Sequence, residues 1–496
     1  MKFPRSSGIL LHPTSLPGPA GIGTLGPDAI HFASFLKDAG CSLWQMLPLG
    51  PTGYGDSPYQ CFSAFAGNPL LIHLPDEIAA KPGSFDVDFG AVIPQKRRLL
   101  RQHFERFVPD ARYERWEKQQ AWLDDYALFS ALKDAHEGNA WTTWDLPLAG
   151  RNAQAIEKFR RAHSREIAQV RFEQYVFFRQ FFVLRAACRE RGVRLMGDLP
   201  IYVAHDSADV WANRELFQLN TDGTLVVQAG VPPDYFSETG QLWGNPIYHW
   251  KALREQKYAW WIQRMRAALS MFDVVRLDHF RGFESYWEVP GVAETAEHGK
   301  WRPGPGAELF NALTAALGPL PIVAENLGLI TPEVEALRKH LGYPGMSILQ
   351  FAFGGDGEIN EFKPHHYRHE QVVYTGTHDN DTTAGWWNAS AGGDSTRSLV
   401  DVEKEQRDAR EYLDTDGTDI HWTLIRAALA SVADTALIPM QDVLGLGSES
   451  RMNLPGRESG NWKFRFHWDQ LPSEVPRRLF DLNRIFDRLV NRPSPA

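Results

Sequence analysis

The segment Val-Val-Arg-Leu-Asp-His-Phe-Arg-Gly, residues 274–282, begins as a short apolar run and ends in charged residues. A continuous apolar run is typical of a parallel strand that is buried on both faces. Arg276 and Asp278 lie two positions apart, so on a strand both side chains point to the same side of the sheet. The segment therefore predicts a buried strand that presents an arginine–aspartate pair at its carboxyl end.

Seven other runs have the same character and are separated by helix-like sequence; they are residues 8–15, 43–48, 194–202, 322–326, 347–353, 372–380 and 435–443. Strands that alternate with helices in this way predict an α/β fold, a (β/α)₈ TIM barrel. Because reactive groups of such barrels lie at the carboxyl ends of the strands, we expect acids there to mark a site. Five runs carry an acid in that place, namely Asp198, Asp278, Glu325, Asp379 and Asp442.

The spacing of the runs predicts large insertions. About 145 residues separate the second run from the third, far more than one connecting helix needs. We expect residues 1–50 to start the barrel, residues 51–193 to form an inserted and mostly helical subdomain, and residues 194–496 to complete the barrel. Within the last part, residues 230–246 are expected to form a lid loop. About fifty residues follow the eighth run, too few for a C-terminal β-sandwich domain.

Composition excludes several classes of protein. The 496 residues are 43% hydrophobic and 23% charged, which is ordinary for a globular protein and unlike a disordered chain. The formal net charge of −9 argues against a nucleic-acid partner, which would require a basic surface. Three cysteines and the lack of any run of about 18 apolar residues predict a cytoplasmic protein with no membrane partner. We also expect a monomer.

Three motifs could carry chemistry. A guanidinium beside Asp278 would hold the pKa of that carboxyl down and keep it ionised, as a nucleophile must be, although a buried structural ion pair would have the same sequence. Glu325 follows an apolar run, so partial burial would raise its pKa toward that of a general acid, unless it is a solvated loop residue. The His-Asp-Asn-Asp segment, residues 378–381, lacks the paired-histidine spacing of a zinc site, so we expect no metal.

Taken together, these motifs resemble a known family. An aspartate, a glutamate and an aspartate on the fourth, fifth and seventh barrel strands follow the order of the α-amylase superfamily of retaining α-glycosidases. The resemblance runs from about Gly8 to Trp468 and is specific to 4-α-glucanotransferases of the amylomaltase type. It is carried by SPYQ at 57–60, SAFAGNP at 63–69, GDLPI at 197–201, the segment 230–246 and RMNLPG at 451–456.

The resemblance implies a role for each candidate residue. Asp278 would be the nucleophile, Glu325 the general acid/base, and Asp379 the residue that stabilises the transition state at the reacting glucose. No cofactor is implied, because the carboxyl groups carry the covalent chemistry. The residues expected to bind substrate are Ser57, Tyr59, Asp198, Arg276, Tyr235, Phe236, Gln241, Trp243, His378 and Asn461.

The implied activity is the transfer of an α-1,4-glucan segment to the 4-hydroxyl of another glucan or of glucose, through a covalent glucosyl-aspartate. Its partners would be α-1,4-glucans and malto-oligosaccharides, with glucose as an acceptor and cyclic glucans as a further product. Tyr235 and Phe236 would form a platform for the acceptor sugar, although a packed surface loop is the alternative. The alternative functions are a hydrolytic α-glucosidase or α-amylase on the same barrel and a non-catalytic glucan-binding protein.

Overall fold

The computed structural model describes residues 3–77, 85–233, 239–355, 360–389, 398–457 and 459–490. These residues form twelve strands, which are β1 (Ser6–Leu10), β2 (Leu43–Gln45), β3 (Arg194–Pro200), β4 (Val227–Val231), β5 (Gln241–Pro246), β6 (Val274–Asp278), β7 (Ser285–Pro290), β8 (Lys300–Pro303), β9 (Ile322–Ala324), β10 (Gly345–Ile348), β11 (Gln371–Tyr374) and β12 (Thr435–Pro439).

The same residues form seventeen α-helices, which are α1 (Pro27–Asp38), α2 (Phe89–Glu105), α3 (Ala111–Lys118), α4 (Leu123–Ala135), α5 (Leu146–Ala149), α6 (Ala153–Ala162), α7 (Ser164–Glu190), α8 (Ala208–Ala212), α9 (Trp250–Glu255), α10 (Ala259–Met271), α11 (Gly306–Leu317), α12 (Pro332–Leu341), α13 (Thr383–Asn388), α14 (Leu399–Leu413), α15 (Ile420–Ala430), α16 (Met440–Leu444) and α17 (Val475–Ile485). None of the helices in the described part of the chain is both long and apolar enough to cross a membrane.

Eight strands form one parallel sheet in the order β10-β11-β12-β1-β2-β3-β6-β9, which follows the chain once around. The two ends of this sheet meet, because the Ala324 N–H on β9 donates to the Pro344 carbonyl beside β10 at 2.9 Å. Each strand overlaps one of the eight apolar runs, although β10 shares only residues 347–348 with its run, whose remainder forms a short 3-10 helix. The predicted (β/α)₈ barrel is therefore confirmed.

Inward-facing side chains fill the barrel. The nine buried residues of this inner cluster come from seven strands and are Leu43, Met196, Val274, Val323, Met346, Ile348, Val372, Tyr374 and Leu437. The eighth strand, β1, contributes Gly8, on which a Cβ atom would collide with the backbone and side chain of Leu43. The interior is thus a packed core, and chemistry is confined to the strand ends.

The long segment between β2 and β3 is helical, as expected, and contains α2 to α7. Its last helix, α7, packs against α4 and α2 on one side and against α1 of the barrel on another before the chain enters β3. Helix α7 therefore contacts both the inserted helices and the barrel. The boundaries 51–193 for an inserted subdomain remain a prediction.

A second sheet has the antiparallel order β5-β4-β7-β8 and was not predicted from the sequence. Its strands come from the segments after β3 and after β6, on the carboxyl side of the barrel. The segment 230–246 enters this sheet at both ends, since Gly230 pairs with Leu242 and Val231 with Gln241. Its tip, residues 234–238, lies outside the described residues. The expected lid is therefore carried on two paired strands.

Candidate active site

Four acidic side chains lie on or just beyond barrel strands at one end of the barrel, three of them on the neighbouring strands β3, β6 and β9. Asp198 lies on β3, Asp278 ends β6, Glu325 follows β9, and Asp379 lies beyond β11. In the sheet register Asp198 pairs with Arg276, and the strand positions just before Asp278 and Glu325 pair with each other. The alternation of a parallel barrel therefore directs the acids of successive strands toward one cleft.

A buried arginine connects two of these acids. Arg276 donates to Asp198 Oδ2 at 2.6 Å and lies 2.9 Å from Asp278 Oδ1 through its other terminal nitrogen. The Tyr59 hydroxyl donates to the same Asp198 oxygen at 2.9 Å, while Asp198 Oδ1 is buried and has no hydrogen-bond partner. Since Asp198 and Arg276 are almost fully enclosed, they form a fixed charged base beneath Asp278.

Asp278 is the more accessible of the two aspartates, with 28% of its side chain exposed. Its partial removal from water raises its pKa to about 6, and the Arg276 guanidinium offsets part of that rise. Arg276 thus acts in the predicted direction, but the predicted low pKa of Asp278 is wrong, because burial raises this pKa by more than the guanidinium lowers it. A carboxyl group with a pKa of about 6 is nevertheless mostly ionised at pH 7.

Glu325 is held by two backbone donors. The His279 N–H donates to Oε2 and the Leu327 N–H donates to Oε1, each at 2.7 Å. Burial raises the pKa of Glu325 to about 7, against the opposing effect of Arg276 and with a further rise from Asp278. The predicted rise is confirmed. Burial therefore raises the pKa of both neighbouring carboxyl groups toward neutrality.

Asp379 lies on the opposite side of the cleft. Its Oδ1 accepts a hydrogen bond from Asn453 Nδ2 at 2.6 Å and lies 3.4 Å from His378 Nε2. The Asn453 amide is itself braced, because Arg451 donates to the carbonyls of Asn453 and Asp379. Asp379 is nearly half exposed, so one carboxyl oxygen remains available to a ligand.

Tyr59 forms part of the wall between these groups. Its ring stacks on His378 at a centroid distance of 5.2 Å and an angle of 12°, and Trp462 lies 5.8 Å away. The Tyr59 N–H donates to Ser57 Oγ at 3.2 Å, which fixes the turn that carries both residues. The expectation that Tyr59 also stacks on a sugar remains a prediction.

We expect Tyr59→Phe to lower kcat/KM for maltotriose disproportionation about tenfold, with little change in thermal stability. The substitution keeps the ring but removes the donor to the buried Asp198 carboxylate, whose second oxygen has no partner. Steady-state kinetics on purified protein measure the change. Tyr54→Phe is the matched control, because Tyr54 lies in the same loop and is 72% exposed. An unchanged kcat/KM for Tyr59→Phe would show that the hydroxyl does not support the site.

The sheet that carries the expected lid reaches the cleft through Trp243. The indole ring meets the His279 ring edge-on at 4.8 Å, and its Nε1 donates to Gln241 Oε1 at 3.3 Å. Gln60 Nε2 donates to the Trp243 carbonyl at 3.4 Å, which joins the Tyr59 loop to β5. Tyr235 and Phe236 lie outside the described residues. The platform assigned to those two aromatic residues therefore remains a prediction.

Two other candidates make structural hydrogen bonds. Asn461 uses its amide within the loop that follows RMNLPG, accepting from Leu454 N–H at 3.0 Å and donating to two backbone carbonyls. Its expected contact with sugar remains a prediction. Asp442 is buried and accepts from Thr375 Oγ1 and the Thr383 N–H, so it ties β11 to α13 rather than facing the cleft.

Sequence reasoning missed two supports of the site. His279 adopts a left-handed backbone conformation with φ of 51°, which is uncommon for a residue other than glycine and turns its N–H toward Glu325. Asn453 was noted only as part of a motif, yet it contacts Asp379 directly. No hydrophobic periodicity signals either role, because both depend on contacts between distant loops. In the part of the chain that the structure describes, no cluster of His, Cys, Asp or Glu could hold a metal ion.

Paired carboxyl groups on adjacent strands of a closed barrel, backed by a buried arginine, are typical of enzymes that act on glycosidic bonds. Residues 11–471 match the glycoside hydrolase 77 family, described as 4-alpha-glucanotransferase. The chain belongs to this family. It is an enzyme of the 4-α-glucanotransferase class, and neither the hydrolase nor the non-catalytic alternative is favoured.

Known proteins resemble this chain over its whole length. It is 48% identical over 510 residues to 4-alpha-glucanotransferase of Thermus thermophilus, covering 99% of this chain and 100% of that protein. It is also 48% identical to 4-alpha-glucanotransferase of a Synechocystis species, covering 98% of each. The solved structure of amylomaltase from Streptococcus agalactiae in complex with acarbose superposes with a TM-score of 0.91 at 36% identity, covering 98% of this chain and 99% of that one.

Proposed function

We propose that this enzyme transfers α-1,4-glucan segments by a retaining double displacement centred on Asp278 and Glu325. The observation that carries the proposal is the pairing of these two carboxyl groups on adjacent strands with different surroundings. Burial raises the pKa of Asp278 as well, but its direct contact with the Arg276 guanidinium favours the ionised form of a nucleophile. Glu325 is buried, which favours the protonated form of an acid.

In the first step an Asp278 oxygen attacks the anomeric carbon of the donor glucan. The bond from that carbon to the 4-oxygen of the next glucose breaks, and Glu325 gives its proton to the departing oxygen. The nonreducing segment is left as an ester on Asp278, and the shortened glucan leaves as an alcohol. Asp379 and His378 would hydrogen-bond the hydroxyls of the reacting glucose, where contacts that tighten as the ring flattens lower the barrier.

In the second step the 4-hydroxyl of an acceptor attacks the same carbon from the side that the leaving group vacated. Glu325, now ionised, takes the hydroxyl proton, and the Asp278 carboxylate leaves. Two inversions restore the α configuration. Glucose or a malto-oligosaccharide would serve as the acceptor, and attack by the far end of the same chain would give a cyclic glucan.

Transfer prevails over hydrolysis when an acceptor sugar reaches the intermediate more readily than water does. Trp243 closes one side of the cleft on the sheet that carries residues 230–246. We assign Tyr235 and Phe236 to the acceptor platform and Ser57, Gln241 and Asn461 to further sugar contacts. These assignments rest on the family resemblance, together with the position of the flanking strands.

We also propose that the enzyme acts as a cytoplasmic monomer and needs no cofactor. The three cysteines are free, and two of them are buried, which fits a reducing compartment. The carboxyl groups supply both the nucleophile and the proton transfer, so the reaction balances without a metal ion or a redox group. Residues 51–193 are proposed to be an inserted subdomain of the catalytic barrel.

Incubation of the purified enzyme with maltotriose tests the transfer reaction. We expect glucose together with a ladder of longer malto-oligosaccharides, while the total of reducing ends stays constant, because each transfer consumes one bond and forms another. Chromatography gives the ladder and a reducing-sugar assay gives the total. A steady rise in reducing ends without longer products would contradict transfer, and unchanged maltotriose would contradict catalysis on this substrate.

A further inference from the structure

Arg281 lies three residues beyond Asp278 and is buried, although the mechanism above does not use it. One terminal nitrogen donates to the Leu329 carbonyl, and the other donates to Ser285 Oγ at 3.2 Å. The guanidinium thus connects the turn after β6 to the backbone at Leu329.

The two segments that Arg281 connects are those that hold Glu325. His279, which donates to Glu325 Oε2, precedes Arg281 in the same turn after β6. Leu327, which donates to Oε1, lies in the turn that ends at Leu329. Each oxygen of Glu325 therefore receives its backbone N–H from one of the two segments that Arg281 joins.

The turn at 326–329 is also anchored at its start, and the Leu327 side chain packs against the inner cluster of the barrel. Asn326 accepts from the Met346 N–H at 2.7 Å and donates to Glu335 at 2.9 Å, which fixes the beginning of the turn on β10 and α12. Gly328 then adopts a positive φ of 81°, and the Leu329 side chain is 64% exposed. Ile330, the next residue, packs against the core, and Arg281 adds the polar contact to the Leu329 carbonyl at this end of the turn.

The antiparallel sheet supports Arg281 from outside the barrel. The Trp301 ring on β8 lies under the guanidinium, with 3.9 Å between the guanidinium carbon and the ring centroid, and Trp287 on β7 packs against Trp301. A cation over an indole face at this distance is held in place as well as stabilised. The insertion after β6 therefore supplies the wall against which Arg281 rests.

We propose that Arg281 is a positioning residue for the acid/base Glu325: it clamps the 326–329 turn onto the turn that follows Asp278, so that both oxygens of Glu325 keep their backbone donors. The inference rests on the role proposed above for Glu325. Trp301 acts with Arg281 by fixing the orientation of the guanidinium.

Loss of the contact between Arg281 and Leu329 should change the pH dependence of kcat/KM in a definite direction. The charged groups that act on Glu325 are Arg276 and Asp278, and the carboxylate is further stabilised by the two backbone N–H groups. Near Arg281 the charged and titratable groups are Glu284 and His279. Loss of the Leu327 N–H would destabilise ionised Glu325 and raise its pKa. Because Glu325 must be protonated for the first step, the alkaline limb of kcat/KM would move to higher pH.

Arg281→Met and Arg281→Lys test the proposal in the full-length enzyme. For Arg281→Met we expect kcat/KM near neutral pH to fall about tenfold and the alkaline limb of its pH profile to rise by about half a pH unit or more. For Arg281→Lys we expect partial recovery of both, because an ammonium group can still donate to the Leu329 carbonyl. Trp301→Leu should shift the limb in the same direction by less.

Arg302→Gln is the matched control, since Arg302 lies next to Trp301 on β8 and pairs with Glu288 at the surface. A lower rate with an unmoved alkaline limb in Arg281→Met would overturn the proposal, because a loss of folded protein alone has that signature. If Arg281→Met does not fold, an unmoved limb in both Arg281→Lys and Trp301→Leu would overturn it. Wild-type activity in Glu325→Gln would instead reject the role of Glu325 itself.

Discussion

Asp278→Asn should abolish glucan transfer, with kcat/KM reduced by at least about 10⁴-fold. An amide oxygen is a poor nucleophile, and no ester can accumulate at that position. The fold should survive, because Arg276 keeps its shorter contact with Asp198 when the Asp278 charge is removed. Initial rates of glucose release from maltotriose measure the loss, and thermal unfolding of the same preparation measures stability.

Asp442→Asn provides the comparison for this variant. Asp442 is also an acid near the carboxyl end of a barrel strand. Its carboxyl group does not face the cleft, because it accepts hydrogen bonds from Thr375 and Thr383. We expect it to lower the unfolding temperature more than the rate per folded molecule. If Asp278→Asn keeps activity within about tenfold of the wild type, another carboxylate is the nucleophile.

The barrel could be predicted from the sequence because its strands are buried on both faces. Burial on both faces leaves a continuous apolar run, and β12 (Thr435–Pro439) and β10 (Gly345–Ile348) are buried at every position. The antiparallel sheet gave no such signal. Its edge strand β8 (Lys300–Pro303) is exposed throughout, and β5 (Gln241–Pro246) contains glycine and proline. Such strands are specified by pairing with their neighbours, which a local pattern does not encode.

Part of the site could also be predicted. The position of Asp278, Glu325 and Asp379 at strand ends follows from the rule that barrel sites form there. The pKa values of these carboxyl groups do not follow from that rule. They depend on burial, which is determined by residues from other strands and from the insertions. That is why the charge of Arg276, considered alone, predicted a low pKa for Asp278, whereas burial predicted the raised pKa of Glu325 correctly.

Contacts between loops could not be predicted from the sequence. Residues 281 and 329 belong to turns after different strands, and the clamp between them exists only once the barrel has closed. The same holds for Asn453 and Asp379, which are 74 residues apart. A sequence motif can point to such a residue, but the residue that it contacts is determined only by the folded structure.

Glu325→Gln should lower kcat/KM for maltotriose by about 10³-fold at neutral pH, because a glutamine cannot protonate the departing 4-oxygen. The substitution keeps an oxygen that can accept one of the two backbone N–H groups, and the other N–H loses its acceptor. Glu333→Gln, an exposed residue at the start of α12, is the matched control. Unfolding temperatures of both variants separate a loss of catalysis from a loss of folded protein.

The pH dependence of kcat/KM should also differ between the wild type and Glu325→Gln. In the wild type Asp278 must be ionised, so activity rises as the pH passes through about 6, and Glu325 must be protonated, so activity falls as the pH passes through about 7. Glu325→Gln removes the second group. We therefore expect its residual kcat/KM to rise with pH and then stay level, and a retained alkaline fall would mean that another residue is the acid.

A donor with a good leaving group extends the test to the covalent step. Fluoride leaves without protonation, so α-maltosyl fluoride should react with Glu325→Gln far faster than maltotriose does. The second step still lacks its base, so the maltosyl ester on Asp278 should accumulate and appear as an added maltosyl mass on the peptide containing residue 278. The double variant Asp278→Asn with Glu325→Gln should show no such peptide. First-turnover release of fluoride that is no faster than glucose release from maltotriose would contradict general acid catalysis by Glu325.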